Sequence, residues 1–392
     1  MSGPGLRRLA PPDLDAIESE PALVEAIRDE IERDGPITFA RFMERALYEP
    51  GLGYYRSVER RPGRAGDFLT APEAHPIFGG SLARFVEGVW SAIGRPDTFT
   101  IREFGAGGGA LAEPLLARLA AGDPALAAAV RYRAEEVEPR RLDDLRERLA
   151  AAGLDRTLEP DDGAPIVGAA IANEVLDALP THRVVIRRGR LHEVLVGWRD
   201  GAFADIEGDP STPALARRLE EEGVRLDEGQ QAEVCLELDR WVGRAAAGLG
   251  RGVLLLVDYG DTAERLYDPR RRPAGTVLAY LRHRAHDAVY RAIGRQDLTA
   301  HVDVTAVESA AASSGLDHLG TTTQGRFLAA LGAGKLLVEL QGDTAAALPA
   351  YLEARAALVR MIDPAAMGAF KVMVFGRGVP AGTALPGFAE PH

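Results

Sequence analysis

The spacing of apolar residues predicts helices at the start of the chain. Apolar side chains recur at helical spacing over residues 21–33, and Asp-Gly-Pro ends that run. Thr38 is placed to cap a second predicted helix over residues 39–48. Helical spacing returns over residues 77–93, whereas residues 51–76 have no period and predict a long loop rich in Gly, Pro, Arg and Tyr.

Strand and helix patterns alternate in the next part of the chain. Predicted strands have the sequences FTIREF, VRYRAEEV and PIVGAAIANE, and the predicted helices between them are ALAEPLLARLAA and PRRLDDLRERLAAAG. Alternation of this kind predicts a parallel sheet that is covered by helices on both faces. The sequence therefore indicates an α/β protein.

The alternation breaks after residue 181. Alternating strands with Arg-Gly and Asp-Gly turns predict a hairpin or meander there, which we interpret as an inserted subdomain. QQAEVCLELDRWVGRAAAGL then predicts a helix, RGVLLLVDYG a buried strand and FKVMVFG a final strand. We expect residues 1–97 to form a helical cap and a loop, 98–180 and 231–392 the core, and 181–230 a β-rich insert.

Composition excludes several classes of protein. The net charge of −12 over 392 residues argues against a nucleic-acid partner, since no basic stripe accompanies it. Cys235 is the only cysteine, which excludes an internal disulfide and a multi-cysteine zinc site, and its helical-looking context predicts a small buried apolar side chain.

No apolar run is long enough to span a bilayer, and the first residues lack a secretory or transit pattern, so we expect a cytoplasmic protein without membrane insertion.

A glycine-rich bend follows the first predicted core strand. The segment EFGAGGG fits an acid-x-Gly-x-Gly-x-Gly pattern through Glu103, Gly105, Gly107 and Gly109. It also fits the dinucleotide pattern Gly-x-Gly-x-x-Ala, which ends at Ala110. Ligands of parallel α/β sheets bind beyond the carboxyl ends of the strands, and glycine lets a ligand contact the main chain there. A methyltransferase, a nicotinamide or flavin protein, and a purely structural turn all remain compatible with the bend.

Nearby acids favour one of these cofactors. The carboxylate of Glu103 would attract the ammonium and sulfonium groups of S-adenosylmethionine, whereas it would repel a pyrophosphate. Glu136 or Glu138, at the end of the next strand, could accept hydrogen bonds from ribose hydroxyls in either cofactor class.

A second polar corner follows the strand over residues 166–172. Asn173, Glu174 and Asp177 gather at its end, and one turn of helix would place both acids on the same side. Two carboxylates there could hold a guanidinium or an amine in line for methyl transfer. A helix N-cap with acids in its first turn explains the same residues equally well.

A series of motifs in order resembles the MidA-like family of S-adenosylmethionine-dependent methyltransferases, whose mitochondrial members are complex I assembly arginine methyltransferases. The motifs are ITFARFMERALYEPGLGYY, GDFLTAPEAHPIFGGSLARF, EFGAGGG, EEVEP, ANEVLDALP, LLLVDYG, GTVLAY, QDLTAHVD and TTQGRFLAALG, followed by FKVMVFG. Ala106 stands where the family often has proline, and the missing presequence suggests a bacterial-type member.

The resemblance implies a class I methyltransferase fold, a Rossmann-like sheet of seven mostly parallel strands, with S-adenosylmethionine as cofactor and no metal. It assigns cofactor binding to Asp67, Phe68, Thr70, Glu103, Gly105, Gly107, Gly109, Glu136 and Asn173. It assigns catalysis to Glu174, Asp177 and Asn173, and substrate contacts to Tyr54, Tyr259, Asp297 and His301. For His301, a packed core histidine and a proton acceptor or substrate contact both remain open.

The activity implied by this resemblance is methyl transfer to an arginine side chain of a protein substrate, linked to complex I assembly or to a bacterial equivalent. A homodimer is compatible with it. A small-molecule methyltransferase and a cofactor-binding assembly factor without turnover remain as alternatives.

Overall fold

The computed structural model describes residues 17–57, 69–341, 348–380 and 382–388. Its helices are α1 (Pro21–Asp34), α2 (Phe39–Tyr48), α3 (Ala71–Ala74), α4 (Ile77–Ala92), α5 (Ala112–Ala120), α6 (Pro124–Ala129), α7 (Pro139–Ala151), α8 (Ala214–Glu221), α9 (Glu237–Ala247), α10 (Ala263–Leu266), α11 (Val304–Ser313), α12 (Gln324–Ala330), α13 (Ala333–Glu339) and α14 (Leu348–Ile362). Its strands are β1 (Ile37–Thr38), β2 (Phe99–Phe104), β3 (Val130–Glu135), β4 (Ile166–Asn173), β5 (His182–Arg187), β6 (Arg190–Arg199), β7 (Ala202–Gly208), β8 (Gln231–Val234), β9 (Leu249–Asp258), β10 (Gly260–Asp261), β11 (Leu278–Leu281), β12 (Arg284–His286), β13 (Asp297–Thr299), β14 (Val302–Asp303), β15 (Asp317–Thr323) and β16 (Lys371–Arg377).

The chain forms two compact units, each built from three segments. The first unit contains Met1–Leu69, Leu176–Trp241 and Gly260–Ala310, and the second contains Thr70–Val175, Val242–Tyr259 and Ala311–His392. This division differs from the one expected from the sequence. Residues 70–97 belong with the parallel sheet instead of with an N-terminal cap, and residues 260–310 belong with the inserted strands.

The second unit contains a six-stranded sheet in the order β15-β16-β9-β4-β2-β3. The four strands β9, β4, β2 and β3 run parallel, and β16 is antiparallel to both of its neighbours, β9 and β15. The run Val253–Val257 in β9 is fully buried, as expected for a strand that is covered on both faces. The predicted parallel α/β sheet is therefore present.

The resemblance implies seven strands, whereas six are paired in the described part of this sheet; beside β3, Tyr132 and Leu158 form one isolated parallel bridge. The chain continues from Leu158 into Pro160 and then Asp161-Asp162-Gly163. Proline lacks the N–H group that a ladder needs, and the residues after it favour a turn, so pairing stops after one bridge.

The first unit is rich in antiparallel strands. Its main sheet has the order β1-β6-β5-β8, and β7 pairs with β6. The helices α1 and α2 pack against it, and their buried apolar residues include Ile27, Phe42 and Met43. Phe42 meets the ring of Phe203 from β7 edge-on, at 5.6 Å between centroids. The predicted cap of α2 is also present, because the Thr38 hydroxyl accepts a hydrogen bond from the N–H of Arg41 at 3.0 Å.

The expected helix over residues 230–249 begins later than predicted. Residues Gln231–Val234 form β8, which pairs with β5, and the helix spans Glu237–Ala247. Pairing with a neighbouring strand outweighs the helical propensity of this short segment. Cys235 therefore lies between a strand and a helix instead of within the helix.

Candidate functional site

The glycine bend follows the end of β2 directly. Gly105, Gly107 and Gly109 have φ angles of 69°, 52° and 80°, in the left-handed region that side chains rarely adopt. A Cβ atom at Gly105 would lie 2.9 Å from the Val175 side chain, and one at Gly109 would lie 3.2 Å from Leu145. A Cβ at Gly107 would meet nothing within 4 Å. The outer glycines thus permit close packing, whereas Gly107 borders open space in which a ligand can approach the main chain.

Glu136 lies beside this turn, at the end of β3. Its carboxylate accepts hydrogen bonds from the N–H of Gly107 at 2.9 Å and from the N–H of Glu138 at 3.1 Å. The Glu138 side chain instead accepts from the N–H of Arg140 and caps α7. Of these two acids, Glu136 therefore lies against the glycine turn, and its contact with a ligand stays a prediction.

Glu103 is buried near the end of β2, with 4% of its surface exposed. Its carboxyl group receives a hydrogen bond from the phenol of Tyr132 on β3. Burial first, and the neighbouring carboxylate of Glu136 second, raise the pKa of Glu103 well above its ordinary value. Burial thus favours the protonated form of the predicted cofactor acid more than it would for an exposed glutamate.

The Asn-Glu corner at the end of β4 is held in an unusual backbone conformation. Glu174 has φ 54°, a conformation that is costly for a residue with a side chain. Its N–H donates to the carbonyl of Val257 at 2.8 Å. Its carboxylate accepts from the N–H of Ala71 at 3.1 Å and from Asn173 Nδ2 at 3.0 Å. The side-chain oxygen of Asn173 is buried and accepts no hydrogen bond from the described residues.

The expected helical turn after this corner does not form, and residues 174–179 contain no helix. An N-cap role for Asn173 is therefore wrong. Glu174 belongs to the second unit and Asp177 to the first, so a shared helical face does not relate them.

Asp258 positions the chain that follows β4. In the sequence analysis this residue appears only within the motif LLLVDYG. It is fully buried at the end of β9, next to β4 in the sheet. Its carboxylate accepts hydrogen bonds from the N–H of Val175 at 3.2 Å and from that of Tyr259 at 2.9 Å. It therefore ties the chain after Glu174 to the neighbouring strand.

The loop before α3 is described only in part. Asp67 and Phe68, predicted to contact the cofactor, lie outside the described residues. Thr70 precedes α3, and its hydroxyl donates to Glu73 at 3.1 Å. Burial raises the pKa of Glu73. In the described part of this loop, the link to the Asn-Glu corner is made by Ala71 through Glu174.

The first unit contains several of the predicted substrate residues. Tyr54 is 1% exposed and belongs to the apolar core. The adjacent Tyr55 donates its hydroxyl hydrogen bond to both carboxylate oxygens of Asp297, at 2.8 and 2.9 Å. Asp297 and Asp177 are both nearly buried, at 3% and 4% exposure. Sequence reasoning named Tyr54 and missed Tyr55, because only the fold shows which of two successive tyrosines faces the acid.

His301 lies in the first unit and is neutral. Its Nδ1 contacts the guanidinium of Arg272 at 3.2 Å. Burial, and then the charge of Arg272, lower the pKa of His301 to about 3. Asp177, Glu233, Tyr267 and His301 line part of a cavity of about 20 Å³ in this unit. That space suits a single water molecule, which needs about 10–15 Å³, and it is too small for a methyl acceptor.

Tyr259 and Cys235 are two further residues that the sequence analysis considered. Tyr259, predicted to contact substrate, packs against Phe370 with 5.3 Å between ring centroids. Cys235 is half-buried, whereas its sequence context predicted a buried side chain, and desolvation raises the pKa of its thiol to about 12. No cluster of potential metal ligands occurs among the described residues, and no helix within them is long and apolar enough to cross a membrane.

The second unit thus gathers polar groups at one edge of its sheet. The glycine turn, Glu136, Asn173 and Asp258 lie at the carboxyl ends of β2, β3, β4 and β9. The open space at Gly107, the acceptor atom of Asn173 and the buried acid Glu103 fit the amino-acid end of S-adenosylmethionine. These residues would hold the cofactor.

Comparisons with known proteins agree with this geometry. Residues 81–322 match the family described as "Putative S-adenosyl-L-methionine-dependent methyltransferase". A Drosophila melanogaster protein named protein arginine methyltransferase NDUFAF7 homolog, mitochondrial, is 30% identical, and the match covers 91% of this chain and 85% of the relative. The Xenopus tropicalis protein arginine methyltransferase NDUFAF7, mitochondrial, is 28% identical, with 83% of this chain and 79% of the relative covered.

A solved structure is also similar over nearly the whole chain. It is a "likely methyl transferase" from Burkholderia thailandensis bound to S-adenosyl-homocysteine, 35% identical, with a TM-score of 0.84 and 98% of both chains covered. The family match and the relatives establish what the geometry of the second unit indicated. The chain belongs to this family of S-adenosylmethionine-dependent methyltransferases, and S-adenosylmethionine is its cofactor.

Proposed function

We propose that this methyltransferase modifies arginine side chains of a protein substrate. The observation that carries the proposal is the 30% identity, over 91% of the chain, to a relative that is named a protein arginine methyltransferase. The carboxylate of Glu174 at the Asn-Glu corner supports it, since a guanidinium is a cation that pairs well with carboxylates.

Glu174 is the proposed guanidinium ligand. Its carboxylate stands at the end of β4, in the strained backbone conformation that is common at functional sites. When bound, S-adenosylmethionine supplies a methyl group on a sulfonium, which leaves as a thioether. Glu174 would orient the attacking nitrogen and offset its developing positive charge, and the carboxylate could then accept the proton that this nitrogen loses. For Asp177, the same role remains a prediction from the sequence.

Asn173 and Glu136 are proposed to hold the cofactor together with Glu103 and the glycine turn. Asn173 offers a buried oxygen to the methionine end, and Glu136 offers its remaining lone pairs to the ribose hydroxyls. Asp67, Phe68 and Thr70 stay predicted contacts from the loop, and Tyr54, Tyr259, Asp297 and His301 stay predicted substrate residues.

We also interpret the sheet as the class I arrangement, in which the bridge at Leu158 stands for the seventh strand and the first unit supplies a substrate region with an N-terminal helical cap. We extend the proposal from the sequence resemblance to three further properties. These are a role in respiratory complex I assembly or a bacterial equivalent, a cytoplasmic location and a homodimer.

The test is transfer of labelled methyl groups from S-adenosylmethionine into a lysate of the native cell. The lysate should come from cells that lack the gene, so that acceptor sites are unmodified. We expect a labelled protein whose acid hydrolysate contains methylarginine. Label in a small molecule would establish the small-molecule alternative instead.

Glu174→Gln separates catalysis from folding and binding. The amide oxygen can still accept from Ala71, so the variant should fold, and its affinity for S-adenosylmethionine should stay within about tenfold, or 1.4 kcal/mol. Turnover should be lost because the negative charge is gone. Equal rates in the variant and the parent would refute the role of Glu174, and cofactor binding without turnover by the parent protein would support an assembly factor.

A further inference from the structure

Glu103 is a buried acid without a basic partner. The structure records no ion pair or hydrogen bond between Glu103 and an arginine, lysine or histidine of the described residues. Its neighbours across the sheet are Ala134 on β3 and Ile171 on β4, neither of which is polar. Among the described residues, Tyr132 donates the one hydrogen bond recorded for this carboxyl group. A buried carboxylate in such surroundings is costly unless a cation arrives or the group is protonated.

The charged groups around Glu103 also disfavour a negative charge on its carboxyl group. Glu136, at the end of β3, disfavours a second negative charge nearby. The adjacent Arg102 is on the opposite face of β2 and pairs with Asp161 at 2.7 Å. Glu135, opposite Phe104 in the ladder, pairs with Arg244. Arg102 and Arg244 are thus paired with other carboxylates, and neither balances the charge of Glu103.

Tyr132 fixes the position of this carboxyl group. Tyr132 is opposite Ile101 in the parallel ladder, so it shares the sheet face of Glu103, two residues along. Its ring is fully buried, and its hydroxyl reaches Glu103 from the neighbouring strand. The small side chain of Ala134, directly opposite Glu103, leaves room for this diagonal contact.

We propose that Glu103 holds a proton in the empty site and releases it to solvent when the α-ammonium group of S-adenosylmethionine binds. Tyr132 is the positioning residue that keeps the carboxyl in place in both states and donates to the carboxylate that forms. The proposal rests on the cofactor lying against the glycine turn.

Cofactor affinity then depends on pH. In the proposed scheme the free site carries the extra proton and the bound site does not, and the burial that raises the pKa of Glu103 acts in the same direction. Binding should therefore tighten as the pH rises, by about tenfold per pH unit for one released proton, until the pH passes the pKa of the free site.

The experiment is titration calorimetry of the full chain with S-adenosylmethionine in buffers of different ionisation enthalpy. It is run near pH 6.5, at which the α-ammonium remains protonated because its ordinary pKa is about 8. The dependence of the observed enthalpy on the buffer gives the number of protons released. We expect a release approaching about one proton. Methylthioadenosine, which has no ammonium group, should bind without release.

Three variants test whether the proton released on binding comes from Glu103. Glu103→Gln keeps the shape of the side chain and should abolish both the release and the pH dependence of affinity. Tyr132→Phe keeps the ring but removes the donor to the carboxylate, so the midpoint of the affinity profile should move to higher pH while release persists. Glu113→Gln, which alters an acid on α5, should match the parent.

Different results of these experiments would contradict the proton release, the role of Tyr132 or the cofactor assignment. S-adenosylmethionine binding without proton release, or release that persists in Glu103→Gln, overturns the proposal. An unchanged pH midpoint in folded Tyr132→Phe overturns the positioning role. Failure of the parent chain to bind S-adenosylmethionine would instead contradict the cofactor assignment on which the proposal rests.

Discussion

The carboxylate of Asp258 accepts a hydrogen bond from the backbone N–H of Val175, at 3.2 Å. This bond joins the ends of two neighbouring strands, immediately after the strained residue Glu174. The corner is thus held both by the backbone bond between Glu174 and Val257 and by a buried side chain.

Asp258→Ala should loosen this corner. The variant leaves the partly buried N–H of Val175 and the buried N–H of Tyr259 without their acceptor, which should lower the free energy of unfolding by about 1–3 kcal/mol. Urea unfolding checks this loss, and kcat should fall with it because Glu174 is less well held. Asp258→Asn retains one acceptor oxygen and should lose less of both; equal losses in the two variants would contradict this account.

Backbone strain at Glu174 predicts an unusual order of stability. Glu174→Ala and Glu174→Gly both remove the carboxylate and differ only in the Cβ atom. At φ 54° the glycine variant should be more stable by about 1 kcal/mol, although alanine is normally the more stabilising residue. Denaturant unfolding of the two variants measures the difference, and a more stable alanine variant would show that the conformation is unstrained.

Gly107→Ala should weaken cofactor binding without preventing folding. An added methyl group would occupy the open space beside the turn, so the affinity for S-adenosylmethionine should drop at least about tenfold, or 1.4 kcal/mol. Gly163→Ala is a matched control, since Gly163 also has a left-handed φ and open space around it but lies in an exposed loop. Both variants should lose similar stability, and calorimetry should find weaker binding only for Gly107→Ala.

Arg272→Met should raise the pKa of His301, because it removes the cation that contacts Nδ1 at 3.2 Å. Burial remains the larger cause, so the value should stay below 6.5. Nuclear magnetic resonance titration of the imidazole measures the change, and Arg271→Met, at an exposed neighbour, should leave it unaltered. A rise in Arg271→Met equal to that in Arg272→Met would contradict the assignment.

The same histidine makes stability depend on pH. The pKa of His301 is about 3 in the folded protein and ordinarily 6.5, so the unfolded chain binds the proton first. The His301 contribution to the free energy of unfolding should therefore fall as the pH drops from 6.5 toward 3. His301→Gln should flatten this part of the stability profile.

Local patterns predicted much of the second unit. The strand FTIREF, the helix over residues 77–93 and the final strand agree with β2, α4 and β16 within one or two residues. These segments have strong periodicity or continuous apolar runs, and the glycine turn needs backbone angles that only glycine adopts freely. Glu103, Glu136 and Asn173 could be selected because each stands at a strand end.

Other features depended on long-range contacts. Residues 231–234 form a strand because β5 lies beside them, and the segment after Glu174 avoids a helix because Asp258 and Val257 hold its backbone. The Tyr55–Asp297 bond joins residues that are 242 positions apart, a pairing that no local pattern shows. Each of the two units is also built from three separate segments of the chain, a division that composition does not indicate.

The position of β16 has a consequence for biosynthesis. This strand lies between β9 and β15, and both partners leave the ribosome before it does. Until Lys371–Arg377 emerges, the nascent sheet therefore has a gap bordered by two unpaired strand edges, and such edges invite pairing with other chains. Chaperone dependence of this enzyme should be concentrated in that interval, and translation that stalls before residue 371 should yield aggregates in place of a shortened enzyme.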